Sequence, residues 1–336
     1  MPRRLVAALL AAVVVLSGGC ADESPAKPSH DRRQGRTTGP SLPPAVSSSE
    51  SLQVLDEYVA GHNKAVTGTD GRAWRGLFGE PLAETAGARL RIEHGKPPER
   101  DPITLVNPVL FVPRLETYPK WFVAAAMERS GRRSKARQTL LMFTRADPDA
   151  PWRLANKTIA DQRLPKIATD GQGYAVTVPA ETSKGLAVGL NDLAGSHAAY
   201  LAGGNDRRFA AGPYTSALRA DRAEWSRRVR AGGWRDAAAF SRTRYPVAAL
   251  RTKDGGVLAW YAISRLDTLV AAGRTAPDPR AVPPDVRGYL DKPISGSRTE
   301  VRAAWLLLPL SYVPPAGQVS VLGLTTDLAS AATIEH

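Results

Sequence analysis

Histidines are the residues of this chain best suited to acid–base or metal chemistry. His62 and His197 stand at similar positions on two apolar helical patterns, where an imidazole could exchange protons with a bound molecule. No two of the five histidines lie three or four residues apart, the spacing that places two metal ligands on one helix face. The sequence therefore predicts no metal or cofactor, and we expect both imidazoles to be half-buried and bonded to backbone groups.

Serines and carboxylates form no clearer catalytic pattern. Ser24 and Lys27 match a Ser-x-x-Lys spacing but lie in a polar segment that could not hold a base in place. We expect the acidic residues that could pair in space to be solvated, because each has polar neighbours: Asp56, Glu57, Glu84, Glu93 and Glu128. No catalytic residue is predicted.

Aromatic and basic side chains are the candidates for binding. We predict that a pocket could be lined by aromatic and imidazole groups of two matching helices and strands: Tyr58, His62, Trp121, His197 and Trp260. Around Trp225, one basic helix offers a candidate patch for an anionic surface: Arg222, Arg227, Arg228 and Arg230. The alternatives are a closed aromatic core and arginines that reflect a genome-wide bias.

Two successive sets of helices and strands must position these residues. In the first set, a helix with Ser49 or Ser51 as its cap and a second helix near 81–92 precede four strands: Ile103–Val112, Trp121–Met127, Gln138–Phe143 and Trp152–Ile159. In the second set, helices at Leu186–Leu201 and Tyr214–Val229 precede four more: Val247–Arg251, Val257–Ile263, Val301–Leu310 and Val319–Leu324.

The two sets match in spacing as well as in order. His62 and His197 are 135 residues apart, and Trp121 and Trp260 are 139 apart, which indicates an internal repeat. Helices that precede antiparallel strands predict an α+β fold. We expect two tandem units, residues 51–165 and 180–330, each with N-terminal helices packed on a curved antiparallel sheet.

The first twenty residues have the order of an export signal. Arg3 and Arg4 precede the apolar run Leu5–Leu16, and three small residues then precede Cys20, which is the only cysteine. The order resembles a bacterial lipoprotein signal peptide that ends in a lipobox. That resemblance implies removal of residues 1–19 and acylation of the Cys20 thiol by membrane lipid, with chains such as palmitate.

Composition supports a location in the cell envelope. Residues 20–50 are rich in Ser, Pro, Gly and charge, and we expect a disordered linker between Cys20 and a body at the outer face of the membrane. The net charge of +13 predicts attraction to anionic lipids or wall polymers, whereas nucleic acid is not an expected partner there. An excess of arginine, 35 against 10 lysines, indicates an actinobacterial, high-GC genome.

The order of elements resembles that of nuclear-transport-factor-two-like cone-shaped folds or cystatin-like units. The chain is also similar to actinobacterial secreted lipoproteins that carry a domain of unknown function. The lipoprotein resemblance implies a lipid anchor. Two tandem units without a recognisable catalytic constellation lead us to expect a protein that binds a small apolar ligand or a protein partner without catalysis. Two alternatives stay open: an isomerase or hydrolase that uses His62 or His197 in a cone-shaped pocket, and a structural or assembly protein at the anionic wall.

Overall fold

A computed structural model describes residues 42–99, 101–131, 134–290 and 293–335. The predicted signal peptide, Cys20 and most of the predicted linker lie outside these residues. The end of the predicted linker, residues 42–50, belongs to the folded body, because Ala45 and Val46 are buried and a helix begins at Ser48. The Ala45 N–H donates to the Pro113 carbonyl over 2.8 Å, which fixes this segment against the end of a strand.

The first half follows the predicted order of helices and strands. Its helices are α1 (Ser48–Thr67), α2 (Gly71–Arg75) and α3 (Leu82–Ile92). Its strands are β1 (Ile103–Phe111), β2 (Lys120–Ser130), β3 (Arg137–Arg145) and β4 (Arg153–Ile159). The helix cap is Ser47 rather than Ser49 or Ser51, since its hydroxyl accepts the Glu50 N–H over 3.1 Å.

The second half begins with α4 (Leu190–Leu201), a π-helical turn (Pro213–Ala217) and α5 (Leu218–Ala231). The strands that come next are β5 (Trp234–Arg242), β6 (Ala248–Arg251), β7 (Val257–Trp260) and β8 (Ile263–Ala271). A short 3-10 turn (Pro279–Ala281) and α6 (Pro284–Tyr289) precede the long strands β9 (Thr299–Val313) and β10 (Ser320–Glu335).

Both halves form antiparallel meanders, so the predicted α+β fold is confirmed. The first sheet has the order β1-β2-β3-β4. In the second, β7 and β8 pair with successive segments of β9, β6 and β5 pair with β7 and β8 respectively, and β10 pairs with the other edge of β9. The strands of the second sheet therefore form four rows, which are β5 with β6, β7 with β8, β9, and β10. The order of these rows along the chain matches the order β1-β2-β3-β4 of the first sheet. Unit boundaries at 51–165 and 180–330 stay a prediction.

Alternating side chains place the two sheets face to face. On β3, Leu141 and Phe143 pack with residues of α1, whereas Leu140 and Met142 pack with residues of the second sheet, among them Trp260 and Leu310. Because successive strand residues point to opposite faces, each sheet has one face under helices and the other against its neighbour. The residues after Leu42 consequently form one compact unit.

The helices of the described ranges also bear on how the protein could meet a membrane. None of them is both long enough and apolar enough to cross one.

Candidate functional site

The predicted pocket residues lie in three separate places. Tyr58 and His62 are one turn apart on α1 and face the first sheet, with ring centroids 6.0 Å apart. Trp121 and Trp260 both pack into the core between the two sheets. His197 lies on α4 in the core of the second half, stacked on Phe209. The structure therefore places Tyr58 beside His62 and places Trp121 in the same core as Trp260. His197 lies apart from both pairs.

His197 is fully buried rather than half-buried, and besides the expected backbone contact, which is with Tyr214, it has a side-chain partner. Its Nδ1 lies 2.8 Å from the Tyr261 hydroxyl, which in turn lies 2.9 Å from the Ser311 hydroxyl. Burial lowers the pKa of His197 to about 4, so the imidazole is neutral at physiological pH. Within the described chain, neither His197 nor His62 hydrogen-bonds to a carboxylate.

Below α1, charged residues of the first sheet surround Tyr58 and His62. Lys157 Nζ on β4 lies 2.7 Å from Glu128 Oε1 on β2, and the Glu128 side chain is 12% exposed. Glu128 was expected at the surface, but it continues the inward face of β2 that begins with Phe122. The expectation was wrong because a lysine from a distant strand compensates its charge.

A one-residue bulge brings Lys157 to this face. Phe143 pairs with Leu154 while Met142 pairs with Asn156, so one residue of β4 has no partner. Lys157 then pairs with Leu141 and points to the same side as Leu154, although strict alternation would have placed it opposite. Lys157 was consequently missed in the sequence, where it stands between two polar neighbours.

Next to this lysine is a cavity of about 370 Å³, which we name the Lys157 pocket. It lies where α1, α3, β4 and β10 meet. Tyr58, Phe78, Leu82, Ile159 and Leu324 form its apolar wall, and Arg89, Glu99, Arg137, Lys157, Tyr214, Thr325 and Asp327 contribute polar groups. The β4 and β10 edges meet here through the Thr325 hydroxyl, which donates to the Lys157 carbonyl over 2.6 Å.

Two ion-pair groups border the pocket. Arg89 Nε lies 3.6 Å from Asp327 Oδ1, and Arg89 Nη1 lies 4.0 Å from Glu99 Oε1. At the opposite side, Asp161 accepts hydrogen bonds from Arg137 and from the Tyr214 hydroxyl. The Arg89 contacts exceed ordinary hydrogen-bond length, so they stabilise the two acids less than direct bonds would.

Some polar atoms of this region are buried without a hydrogen-bond partner. Among the described residues these are Glu99 Oε2, Glu128 Oε2 and His62 Nε2. His62 is 1% exposed, and it is close enough to Glu99, Lys157 and Glu128 for their charges to shift its pKa. A buried acceptor without a donor costs free energy, and sites of this kind are completed by water or a ligand.

Burial and neighbouring charges fix the protonation states around the pocket. Burial raises the pKa of Tyr58 to about 12 and lowers the pKa of His62. Burial opposes a charged Lys157, but Tyr58, Glu128 and Glu99 outweigh that effect and raise its pKa. Burial also raises the pKa of Asp327, against the attraction of Arg89. At neutral pH, the pocket thus presents a neutral phenol and an ammonium group, and the nearby imidazole of His62 is neutral.

A second cavity, of about 400 Å³, lies on the other side of Tyr58. Its central carboxylate, Glu50, already accepts from Arg145 over 3.2 Å and from the Trp152 indole over 3.0 Å. Each cavity has one lining residue with a buried, unpartnered polar atom among those described, Glu99 Oε2 at the Lys157 pocket and Arg145 Nε at the second cavity. Because Lys157 and Glu99 are not joined by a direct ion pair as Arg145 and Glu50 are, we take the Lys157 pocket as the candidate site.

The predicted arginine patch lies on α5, and acidic residues pair with its members. Arg222 Nη1 lies 2.9 Å from Asp236 Oδ2, and Arg230 Nε lies 3.2 Å from Asp236 Oδ1. Arg227 and Arg228 pair with Glu224 at the surface. Arg222 and Arg230 thus connect α5 to β5, and binding of an anionic surface by this helix stays a prediction.

Metal binding finds no support in the part of the chain that the structure describes. No three histidine, cysteine or acidic side chains there are grouped so that they could hold a metal ion.

Two lipoproteins of Streptomyces coelicolor are similar to this chain. One, named uncharacterized lipoprotein SCO2278, is 29% identical over 293 residues, which cover 85% of this chain and 86% of the relative. The other, uncharacterized lipoprotein SCO6871, is 29% identical over 191 residues, which cover 54% of this chain and 52% of the relative. The predicted similarity to actinobacterial lipoproteins is therefore confirmed.

The chain matches a protein family but no solved structure. No solved structure matches the chain, and the resemblance to nuclear-transport-factor-two-like or cystatin-like units stays a prediction. The family described as Domain of unknown function (DUF8094) matches residues 42–333. A match over most of the sequence shows that this chain belongs to that family.

Proposed function

We propose that this protein is a lipid-anchored lipoprotein of the cell envelope that binds a small molecule in the Lys157 pocket. The observation that carries the proposal is a cavity of about 370 Å³ whose wall combines apolar side chains with charged groups, among them Glu99, whose Oε2 is buried without a hydrogen-bond partner. Ligand pockets commonly have volumes of about 300–1,000 Å³ and a few convergent polar groups on an apolar lining. A binding site therefore explains both the space and the orphaned Glu99 oxygen.

Binding fits the protonation states of the site better than acid–base catalysis. Lys157 and Tyr58 hold their protons well above neutral pH, whereas a general acid or base works best with a pKa near the operating pH. His197, the other candidate for proton transfer, is enclosed by Phe209 and Tyr261. The isomerase or hydrolase alternative therefore has less support than a binding role.

Cys20 and the names of the relatives support an anchored protein. Both relatives are lipoproteins, and Cys20 follows an apolar run and small residues as a lipobox cysteine does. Acylation of Cys20 would hold the chain at the outer face of the membrane, and residues 21–41 would separate the body from the head groups. The pocket would then sample molecules outside the cytoplasm.

Native mass spectrometry of the full-length protein, extracted from its membranes in detergent, tests the binding function. We expect a non-covalent adduct on the wild-type protein. Two variants should lose it: Lys157→Met, which removes the central charge, and Leu324→Trp, which fills the cavity. Asp56→Asn, on the exposed side of α1, serves as the matched control and should retain the adduct.

Circular dichroism confirms that each variant is folded before the masses are compared. Only the apo mass on the wild-type protein would contradict the proposal. So would an adduct that the folded Lys157→Met and Leu324→Trp variants still carry.

A further inference from the structure

We infer that the β1 side of the first sheet docks onto an anionic lipid bilayer. The docking surface consists of Val106, Val109, Met127, Arg129 and Lys135, and we name it the β1 corner. The inference rests on the lipid anchor of the proposed function and is independent of the Lys157 pocket. It follows from clustered apolar side chains, from a strand edge unsuited to pairing and from adjoining positive charge.

Three exposed apolar side chains lie together in the β1 corner. Val106 and Val109 are 49% and 54% exposed, and Met127, the cross-strand partner of Val106, is 38% exposed. Val109 pairs with Ala125, which points to the same face of β2 as Met127. Ala125 belongs to the core between the two sheets, whereas the three larger side chains lie beyond its cover. Clustered apolar groups of this kind mark interaction surfaces.

A bulge turns both valines to that face. Residues three apart on a regular strand point to opposite faces, but the register of β1 shifts between Val106 and Val109. Asn107 in the bulge has a φ of 52°, in the left-handed region that residues other than glycine seldom adopt. Without the bulge, one of the two valines would face α1. The chain thus adopts an uncommon backbone conformation that exposes both on one side.

The same bulge makes another strand an unsuitable partner. In the described chain, β1 pairs with β2 alone within its sheet, so its other edge is open. Pro108 has no N–H to donate, and the bulge interrupts the regular spacing of the backbone groups. A lipid surface requires no backbone hydrogen bonds. It therefore fits the exposed side chains of β1 better than an added strand does.

Positive charge adjoins the apolar residues. Arg129 points to the same face as Met127, and Lys135 lies in the connection between β2 and β3. Both are exposed, and neither forms an ion pair with another described residue. The sequence of residues 129–137 contains five Arg or Lys and no acidic residue, while Asp101 at the same end offsets part of this charge. Basic groups beside apolar ones suit the interface of an anionic bilayer.

The chain enters the folded body at the other end of β1. Leu42 is the first described residue, and its carbonyl accepts from Arg114, shortly after β1 ends. Leu42 and Tyr118 are exposed as well, so five of the seven large apolar side chains exposed in the described chain follow the β1 side. The chain from Cys20 to Leu42 spans at most about 75 Å. An acylated Cys20 would therefore keep the β1 corner within reach of the bilayer.

Fluorescence quenching on the acylated full chain tests the inference. In protein extracted from its membranes, acylation would occupy the Cys20 thiol, so an introduced cysteine is the site for an NBD label. The labelled variants are Val109→Cys in the β1 corner, Asp56→Cys on the exposed side of α1 and Ala223→Cys on α5 within the predicted arginine patch. Each is reconstituted into phosphatidylcholine vesicles with or without phosphatidylglycerol, and nitroxide-labelled lipid is the quencher.

We expect the lipid to quench the label at position 109 about twofold or more than the labels at positions 56 and 223, and only when phosphatidylglycerol is present. High salt, or Arg129→Gln combined with Lys135→Gln, should reduce this difference, because salt screens attraction between exposed charges. Equal quenching at the three positions would mean that the anchor alone holds the body near the bilayer. Strongest quenching at position 223 would assign docking to α5, and either result would overturn the inference.

A second copy is the other partner that the β1 corner could take. Size-exclusion chromatography of the unlabelled protein in detergent should show a monomer, and a dimer that Val109→Asp abolishes would also overturn the inference. Intact mass separates the failure of the anchor from the failure of docking. A chain without lipid would contradict both, whereas an acylated chain without preferential quenching at position 109 would contradict docking alone.

Discussion

At the residue scale, the two matching histidines of the chain have different surroundings. His197 contacts Phe209 and Tyr261 in a closed core. His62 lies near the charges of Glu99, Lys157 and Glu128 and has Tyr58 one turn away. Both are buried on a leading helix, as the apolar spacing indicates, but only His62 has charged neighbours. The difference lies in side chains that come from distant strands.

His197 should make stability depend on pH. A base whose folded pKa falls from 6.5 to about 4 binds protons more readily when unfolded, so the free energy of unfolding decreases as pH falls below 6.5 and levels off near 4. Its contribution is a loss of about 2 kcal/mol at pH 5 relative to pH 8. Urea unfolding of wild type and His197→Phe at several pH values measures it.

The phenylalanine keeps the stacking surface for Phe209 and removes the titrating group. We expect a shallower decline between pH 8 and pH 5 in this variant. The same decline in both proteins would mean that His197 does not contribute to it.

Lys157 should matter for stability as well as for binding. Its replacement by methionine leaves the Glu128 carboxylate without its partner at 2.7 Å, in a site where that side chain is mostly buried. Breaking a buried ion pair from one side costs about 3 kcal/mol. Chemical denaturation should show this loss at pH 7, and adding Glu128→Gln to Lys157→Met should recover part of it. A double variant less stable than Lys157→Met would argue against the pairing.

The sequence allowed prediction of the residues that α1 contributes here, but not of those that the strands contribute. Tyr58 and His62 could be predicted because their spacing puts both on the buried face of one helix. Glu128 and Lys157 could not be paired in the sequence, since they come from strands on opposite sides of β3. A bulge in β4 reverses the side to which Lys157 points. Asp327 comes from a strand almost at the end of the chain.

At the element scale, the crossing of β4 and β10 sets the geometry of the pocket. Gly323 on β10 lies against β4, where a Cβ would be 2.5 Å from the Ile159 carbonyl oxygen and from Thr158 Cγ2. No ordinary side chain fits there without moving one of the strands. The glycine therefore allows the two sheet edges to approach and places Asp327 beside Lys157 in the cavity.

Gly323→Ala should destabilise the protein by about 2 kcal/mol through this steric conflict. Thermal or chemical unfolding gives the change. Gly195→Ala on α4 is the matched control, because a Cβ there meets nothing within 4 Å and alanine favours a helix. The control should be as stable as wild type or more so. If Gly323→Ala behaved like the control, the close approach of the strands would be wrong.

Strand prediction succeeded where β-branched and aromatic residues dominate and failed elsewhere. The strand β5 was missed because it contains Ala237, Ala238 and Ala239 between charged residues. Val257–Ile263 was predicted as one strand, whereas β7 ends at Trp260 and β8 begins at Ile263. The far end of β10 is rich in Ala, Ser and Thr and was also missed. These segments are strands because of tertiary pairing with their neighbours.

At the scale of the whole molecule, the two sheets provide a shared core and helices cover their outer faces. The face of each sheet that a second copy could have covered instead packs against the other sheet of the same chain. The candidate site uses residues of both halves, since Tyr58 and Lys157 come from the first and Leu324 and Asp327 from the second. Each half alone would therefore lack part of the pocket.

The anchor gives a prediction for the complete chain. Intact-mass spectrometry of the membrane-extracted protein should show a chain that begins at Cys20 and carries the mass of attached lipid. The Cys20→Ala variant should carry no lipid and should retain residues 1–19, because the modified cysteine directs cleavage in lipoproteins of the kind that this signal resembles. A wild-type chain without lipid, cleaved at another residue, would contradict the anchor.

The most direct test of the central claim is a crystal structure at about 2 Å of the protein purified from its own membranes. We predict density for a small molecule in the Lys157 pocket, with a polar group near Glu99 and Lys157 and an apolar part against Tyr58 and Leu324. A pocket closed by its own side chains, or one that holds ordered water alone, would contradict the account.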